Sequence, residues 1–135
     1  MRVLIADDSE VIVQRLMALL AQVRGVEIVD QVGTVEETRE AVRRLRPDAV
    51  ILDIQMPGGS GIDVLESMKK DRLISTVIVL TNHPYAPYRK KCLQGGAKFF
   101  LDKSSEFEKV GEVLQGLIRD ADREVERDSR DQEDV

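Results

Sequence analysis

The segment AVILDIQMPGGSG, residues 49–61, decides how this chain folds. Its first four residues, Ala49 to Leu52, form a continuous apolar run that predicts a β-strand buried on both faces. Asp53 follows at once, and a loop rich in proline and glycine comes next. Beyond the loop, apolar residues recur at helical spacing from Ile62 to Met68. The segment therefore predicts a strand, an acid at its carboxyl end, a turn and an amphipathic helix.

The same strand-then-helix unit occurs five times along the chain. Because the strands are continuous apolar runs that alternate with helices, they predict a parallel sheet with helices on both faces. Five units are too few for an eight-stranded barrel, so the predicted fold class is α/β, with an open, doubly wound, five-stranded sheet and five helices. The strands are predicted at 2–6, 26–32, 49–52, 76–81 and 99–101.

Local signals predict where several of the helices begin and end. The segments Thr34–Glu37 and Ser105–Glu108 each read as a capping box that opens a helix. Proline lacks a backbone donor, so the fourth helix is expected to start at about Pro87 and to be short. The apolar stripe of the last helix ends at Ala121, which sets the expected limit of the packed structure.

Length and composition indicate one domain. With 135 residues, 42% of them hydrophobic, the chain can build a single core. We assign this domain to residues 1–121 and expect a charged, frayed or disordered tail at 122–135. Residues 1–118 carry 17 acids against 16 bases, so we expect no direct nucleic-acid binding. A single cysteine, Cys92, cannot form an internal disulfide.

The sequence carries no recognisable membrane or export signal. No apolar run approaches the roughly 20 residues that a membrane-spanning helix needs. The amino-terminal run meets the acids Asp7 and Asp8 at once, so it lacks the long apolar stretch and cleavage site of a secretory signal. We therefore expect a cytoplasmic protein with no membrane partner.

Polar residues lie at or just after the carboxyl ends of four of the five predicted strands. These residues are Asp7, Asp8, Asp53, Thr81 and Lys103, and the carboxyl ends of parallel strands meet at one edge of a sheet. Carboxylates that converge there cannot all remain ionised without a cation. Oxygen ligands without histidine or cysteine favour Mg²⁺, with room left for water and phosphoryl oxygens. Lys103 and the hydroxyl of Thr81 could then hold a phosphoryl group, with Asp53 as the nucleophile.

These residues, in this order and spacing, resemble a response-regulator receiver domain of two-component signalling, over residues 1 to about 120. The resemblance implies a flavodoxin-like strand order of 2-1-3-4-5. It also implies that Asp53 accepts a phosphoryl group from a histidine kinase, a phosphotransfer protein of a phosphorelay or a small phosphodonor. The domain would catalyse its own phosphorylation and dephosphorylation without turning over an external substrate. Asp8, Asp53 and the carbonyl of Gln55 would hold Mg²⁺, with Asp7 acting mainly through a water.

The resemblance also implies how the signal leaves the domain. Thr81 and Phe100 would form a coupled switch, in which the ring of Phe100 turns inward when the Thr81 hydroxyl moves toward the phosphoryl group. The surface formed by the fourth helix, fifth strand and fifth helix, including Tyr88 and Arg89, would then bind a downstream protein or a second copy of the chain. Gln55 and His83 occupy positions that adjust the rate of dephosphorylation in such domains.

Two residues depart from the commonest receiver pattern. Asn82 follows the threonine where a small residue is usual, and Ser104 follows the lysine where proline is usual. The segments around Asn82 and Phe100 look more like the nitrate-regulator type of receiver, whose members often carry a helix-turn-helix output domain. Only 17 residues follow Ile118, 12 of them charged, so no such output domain is expected within this sequence.

Three alternative functions can be compared with this one. A receiver that binds its partner without phosphorylation would have no need of three converging carboxylates. An aspartate-nucleophile phosphatase of the haloacid-dehalogenase type needs a D-x-D pattern after the first strand, which Asp7-Asp8-Ser9 does not supply. A flavodoxin-like cofactor binder is disfavoured by the absence of tryptophan and of a glycine-rich loop after the first strand.

Overall fold

A computed structural model describes residues 1–133 of the chain, with side chains through residue 129. Its central sheet has five strands in the order β2-β1-β3-β4-β5, and every neighbouring pair is parallel. The predicted fold class and strand order are therefore confirmed. The strands are β1 (Arg2–Ala6), β2 (Glu27–Val32), β3 (Ala49–Leu52), β4 (Thr76–Thr81) and β5 (Phe99–Asp102).

Five helices cover the two faces of the sheet. Side chains from α1 and α5 join one buried cluster with one face of the strands, and side chains from α2, α3 and α4 join a second cluster on the other face. This two-sided burial explains why the strands are uniformly apolar. The helices are α1 (Glu10–Leu20), α2 (Val35–Leu45), α3 (Gly61–Lys70), α4 (Ala86–Gln94) and α5 (Lys109–Glu133).

The parallel arrangement gives the sheet two distinct ends. All strands finish at one edge, here called the carboxyl edge, and start at the opposite edge, here called the amino edge. Each helix runs back across the sheet, so all five helices end at the amino edge. The residues that follow the strands therefore lie together, as do the loops that follow the helices.

A small antiparallel hairpin, Gln55–Met56 with Gly59–Ser60, leads from β3 into α3. Its turn needs the left-handed backbone of Gly58 at φ 90°. Gly61 then passes so close to the backbone of Asp53 that a Cβ atom at this position would lie 2.4 Å from its carbonyl oxygen. Gly58 thus allows the turn of the hairpin, and Gly61 allows the start of α3 to pack closely against the end of β3.

The start of the last helix differs from its prediction. Residues 103–108 form turns, and α5 begins at Lys109, so Ser105–Glu108 is not a capping box for this helix. The Ser105 hydroxyl instead donates to the carboxylate of Asp102 at 3.2 Å. The Glu106 carboxylate accepts from the Asp102 backbone N–H at 3.2 Å, so both side chains are engaged at the end of β5.

The last helix extends beyond its apolar stripe. It continues past Ala121 to Glu133, and all side chains from 119 to 129 are exposed. The sequence from 119 to 133 contains no proline or glycine that would end a helix. The domain limit at 121 and the frayed or disordered tail stay predictions. Residues 134 and 135 of the predicted tail lie outside the described residues.

Among the described residues, no helix combines the length and apolar character that crossing a membrane would require.

Candidate functional site

Two acids at the end of β1 begin the site. Asp7 is buried, and its Oδ1 accepts the backbone N–H of Ser9 at 2.9 Å. The Ser9 hydroxyl in turn accepts from Ile12 N–H and caps α1, so the turn from β1 into α1 has a fixed geometry. Asp8, between Asp7 and Ser9 in sequence, is exposed to solvent and forms no ion pair with any described residue. The two neighbouring acids thus have different environments, one enclosed and one open.

A buried ion cluster joins β1, β3 and β5. The Lys103 ammonium lies 2.6 Å from Asp7 Oδ2 and 3.1 Å from Asp53 Oδ2, and its side chain is 4% exposed. The backbone holds these ends in register, since Asp53 N–H donates to Ala6 at 2.9 Å and Lys103 N–H donates to Thr81 at 2.8 Å. One cation therefore neutralises part of the charge of two enclosed carboxylates.

The environment of Asp53 shifts its acidity. Burial raises the pKa of the Asp53 carboxyl above its usual value, and the negative charge of Asp7 raises it further. The Lys103 ammonium and the Gln55 backbone N–H, 3.4 Å from Oδ1, act in the opposite direction but do not cancel the effect of burial. Burial therefore makes the ionised form of the Asp53 carboxyl less favourable, and a further cation at the site would stabilise that ionised form.

The three aspartates have the arrangement of a metal site. One carboxylate oxygen from each of Asp7, Asp8 and Asp53 lies within 4.8 Å of the other two. Three carboxylates then face the single ammonium of Lys103, so the cluster keeps an excess of negative charge. A set made only of oxygen donors, with one open side toward solvent, fits a hard divalent cation such as Mg²⁺.

The residues after β4 form another wall of the site. Asn82 and His83 line the open cavity above the acids, whereas Thr81 is fully buried and does not line it. The Thr81 hydroxyl accepts the backbone N–H of His83 at 2.9 Å. Gln55 lines the cavity from the β3 side. The structure thus brings Gln55 and His83 to the acids, and it places the Thr81 hydroxyl behind the cavity wall.

Ser104, which departs from the common receiver pattern, has a definite structural role. Its backbone N–H donates to Asp102 Oδ1 at 2.9 Å, and its hydroxyl donates to the same oxygen at 2.8 Å. These two bonds lower the pKa of the Asp102 carboxyl. Proline has no N–H and could not make the first bond. Serine therefore fixes the loop beside Lys103 by hydrogen bonds.

The cavity also contains residues that sequence reasoning missed. It has a volume of about 750 Å³, and Tyr88 of α4, Ile12 of α1 and Met56 of the hairpin line it together with the acids. From the sequence, Tyr88 is expected only on the output surface. Its ring lies 5.9 Å from that of Tyr85, which lies 6.1 Å from the ring of His83. The sequence signal that could have placed Tyr88 near the cavity is the close spacing of His83, Tyr85 and Tyr88 after β4.

Phe100 lies away from the cavity on β5. Its ring is 6% exposed and packs in the cluster that includes α3 and α4. The guanidinium of Arg89 lies 5.9 Å from the centre of this ring and donates to the Phe100 carbonyl at 3.4 Å. The structure thus shows the buried position of the ring, with α4 in contact with β5 through Arg89. The exchange of Phe100 between two positions stays a prediction.

Comparison with known proteins identifies a common family for this fold and site. A family model described as the response regulator receiver domain matches residues 3–115. The transcriptional regulatory protein YvfU of Bacillus subtilis is 30% identical over 118 residues, which cover 87% of this chain. The chain spans 59% of the length of that relative.

Solved structures show the same similarity. The signal receiver domain of NarL from Mycobacterium tuberculosis superposes with a TM-score of 0.77 and 28% identity, covering 84% of this chain and 92% of that one. The response regulator domain of Thermotoga maritima CheB gives a TM-score of 0.77 and 27% identity, covering 90% of this chain and 95% of that one. Both structures are of isolated regulator domains, so the similarity concerns that domain.

Proposed function

The chain belongs to the response regulator receiver family of two-component signalling, and on that premise we propose that Asp53 is its phosphoacceptor. Receiver domains take phosphoryl groups from histidine kinases or phosphotransfer proteins, and we assign this chain a donor of that class. The observation that carries the proposal is the position of Asp53. Its buried carboxylate lies at the cavity, 3.1 Å from the Lys103 ammonium and next to two further acids.

The chemistry follows from these positions. A carboxylate oxygen of Asp53 attacks the phosphorus atom, the phosphorus–nitrogen bond of a phosphohistidine breaks, and the imidazole leaves with that electron pair. The Lys103 ammonium provides positive charge for the phosphoryl oxygens. The Thr81 hydroxyl supplies a hydrogen bond once it turns from the His83 N–H toward the phosphoryl group. The product is an acyl phosphate on Asp53.

Receiver domains bind Mg²⁺ at their acidic pocket, and the three aspartates here fit that ion. Asp8, Asp53 and the main-chain carbonyl of Gln55 would hold it, with Asp7 acting through a water. The contacts support this division, because Asp7 is already bound to Lys103 at 2.6 Å whereas Asp8 is open to solvent. When bound, Mg²⁺ neutralises charge on the carboxylates and the phosphoryl oxygens.

Phosphoryl transfer to the chain is tested with acetyl phosphate and Mg²⁺, read by intact-protein mass spectrometry. We expect the mass of one phosphoryl group on the wild-type chain and none on Asp53→Asn, since an amide is a poor nucleophile. Asp120→Asn, an exposed aspartate in α5, is the matched control and should behave like the wild type. Phosphorylation of Asp53→Asn would place the acceptor elsewhere. No phosphorylation with any donor would favour the alternative, a receiver that works as an interaction module without phosphorylation.

The output is assigned to the surface of α4, β5 and α5. Phosphorylation would favour one arrangement of Thr81 and Phe100, and Arg89 would carry the change into α4, because it contacts Phe100. A downstream protein or a second copy of the chain would bind there. Amide NMR with beryllofluoride tests this assignment. Shifts confined to the loops around Asp8 and Asp53, without any in α4, would contradict it.

Gln55 and His83 are assigned to the control of phosphoryl lifetime. Both line the cavity, where a water must approach the phosphoryl group for hydrolysis. His83→Ala and Gln55→Ala should therefore change the rate of dephosphorylation while Asp53 remains the residue that is phosphorylated. Time-resolved mass spectrometry after removal of the donor measures this rate. Unchanged rates in both variants would remove this role.

A further inference from the structure

The second half of α5 leaves the body of the domain. Ile118 is the last residue to pack on the domain, against the loop at Gly25, and every side chain from 119 to 129 is exposed. We call residues 119–133 the α5 extension. Val125, within it, is 64% exposed. An exposed helix of this length gains no burial from its own chain, so a partner surface would stabilise it.

The charges of the α5 extension are segregated around the helix. At about 100° per residue, an apolar strip runs along one side, acids flank it, and arginines occupy the opposite side. The strip consists of Ala121 and Val125, in line with Ile118 of the domain body; the flanking acids are Asp122, Glu124, Glu126 and Asp128; the opposite side holds Arg119, Arg123 and Arg127, with one acid, Asp120, beside them.

This pattern limits what the α5 extension can bind. Two copies of the strip packed on each other would bring acids against acids along both sides of the contact, and like charges there oppose pairing. The surface that complements the strip has an exposed apolar residue with basic residues beside it. The α5 extension is therefore suited to a basic surface with an apolar centre, and unsuited to a coiled coil with itself.

The amino edge of the same domain offers such a surface. Ile74, in the loop between α3 and β4, is 99% exposed, the highest value among the large apolar residues that the structure describes. It lines one small cavity of about 220 Å³ with Arg46 and with Asp48, whose carboxylate accepts the Arg2 backbone N–H at 2.7 Å, and Arg72 is two residues away in the same loop. Both Arg46 and Arg72 are exposed, and neither pairs with an acid in the described part of the chain. We call Ile74, Arg46 and Arg72 the Ile74 patch.

The topology places the two surfaces at the same end of the molecule. The α5 extension emerges where the helices end, and the Ile74 patch lies in loops at that amino edge. The extension continues one unbroken α-helix, so it cannot turn back onto its own patch without a break in that helix. Two copies with their amino edges facing each other, related by a two-fold axis, would place each extension against the other copy's patch.

We propose that the α5 extension of one copy binds the Ile74 patch of a second copy, forming a reciprocal dimer through the amino edge. Apolar contact between Val125 and Ile74 forms the centre, and the acids beside Val125 meet Arg46 and Arg72. This surface lies at the opposite edge of the sheet from the phosphoacceptor site. The α5 extension belongs to α5, but it lies beyond the domain body and does not include Tyr88, Arg89 or Phe100, the residues named for output.

Sedimentation velocity of the full chain tests the dimer, at concentrations up to about 1 mM, where small interfaces still associate. We expect association that weakens as salt rises, since the flanking contacts are ionic. Ile74→Asp and Val125→Asp should each weaken it by about tenfold or more. Both residues are exposed, so both variants should keep the wild-type circular dichroism and phosphorylation. A monomer at every concentration, or association unaffected by Ile74→Asp, would overturn the proposal.

A charge exchange makes the test specific. Asp122→Arg with Glu124→Arg should prevent association, as should Arg46→Glu with Arg72→Glu, and the chain carrying all four changes should associate again. Glu112→Arg with Asp120→Arg changes the net charge equally on the arginine side of α5 and should leave association intact. Failure of the fourfold variant to recover, while the control associates, would contradict the pairing. Loss of association in Arg89→Glu would instead assign the contact to the output surface.

Discussion

The two edges of the sheet hold charged residues in opposite ways. At the carboxyl edge, Lys103 is enclosed with Asp7 and Asp53, at 4% side-chain exposure. At the amino edge, Arg43 bonds Asp71 at 2.8 Å between the ends of α2 and α3, but with side-chain exposures of 52% and 33%. Both clusters have short contacts between opposite charges. Only the first is removed from water, which makes each of its charges dependent on the others.

The difference shows why one edge can carry chemistry. Charges in water are already solvated, so an exposed pair changes little when one partner is lost. Enclosed charges respond strongly to any added or removed charge, including a phosphoryl group or a metal ion. The amino edge, with its exposed side chains, is instead free to meet another surface.

The largest effect is expected from removal of Asp8, the exposed member of the cluster formed by Asp7, Asp8 and Asp53. Asp8→Ala should abolish Mg²⁺ binding and phosphorylation, because too few anionic oxygens remain to offset dehydration of the ion. Calorimetry or amide NMR measures the binding, since the chain has no tryptophan. Glu10→Ala removes an exposed acid two residues away and should leave binding intact. Unchanged Mg²⁺ affinity in Asp8→Ala would show that the cluster is not the metal site.

The next effect concerns the cation of the buried cluster. Lys103→Met should lower the free energy of unfolding by about 3–5 kcal/mol without Mg²⁺, because two enclosed carboxylates lose their partner. Added Mg²⁺ should restore part of this loss, which urea denaturation with and without the ion would measure. Lys109→Met removes the exposed pair with Glu106, 3.0 Å apart, and should cost less than about 1 kcal/mol. Equal losses in the two variants would erase the contrast between buried and exposed pairs.

A smaller effect should appear in the pH dependence of stability. Because burial raises the pKa of Asp53 above the ordinary 3.8, the folded state holds its proton where the unfolded state has lost it. Stability should therefore fall as pH rises through that window, and Asp53→Asn should remove this contribution. Without Mg²⁺, the variant should gain stability relative to the wild type as pH rises above the ordinary aspartate value of 3.8.

Urea denaturation across this pH range measures the effect, with Asp120→Asn as the exposed control. A variant that loses stability relative to the wild type as pH rises would show that Lys103 outweighs burial at Asp53. That result would reverse the direction of the pKa shift and weaken the contrast between the two edges.

The smallest effect is expected at the amino edge. Asp71→Ala and Arg43→Ala should each lower the free energy of unfolding by less than about 1 kcal/mol, and a double-mutant cycle should give a coupling of about 0.2–1 kcal/mol. Urea denaturation at low and high salt checks both values. A coupling energy as large as the loss of about 3–5 kcal/mol expected for Lys103→Met would mean that the geometry of the Arg43–Asp71 pair matters more than its exposure.

The elements of the fold were predictable because their signals are local. The apolar run Ala49–Leu52 and the helical spacing of the next segment depend on near neighbours in sequence, and the structure has a strand and a helix there. Strand order came from the family resemblance, since periodicity alone does not say which strands pair. The edge of the sheet where polar residues gather followed from parallel topology alone.

What only the tertiary structure decided depends on residues distant in sequence. Lys103 and Asp53 are 50 positions apart, and their contact requires the pairing of three strands. The same pairing encloses the Thr81 hydroxyl behind the cavity wall and brings Tyr88 into it. At the end of β5, the Ser105 hydroxyl donates a hydrogen bond to the Asp102 carboxylate and does not cap a helix. The sequence by itself determined which residues could do chemistry at the carboxyl edge. Their burial and mutual distances, which set charge and acidity, arose only when the strands came together.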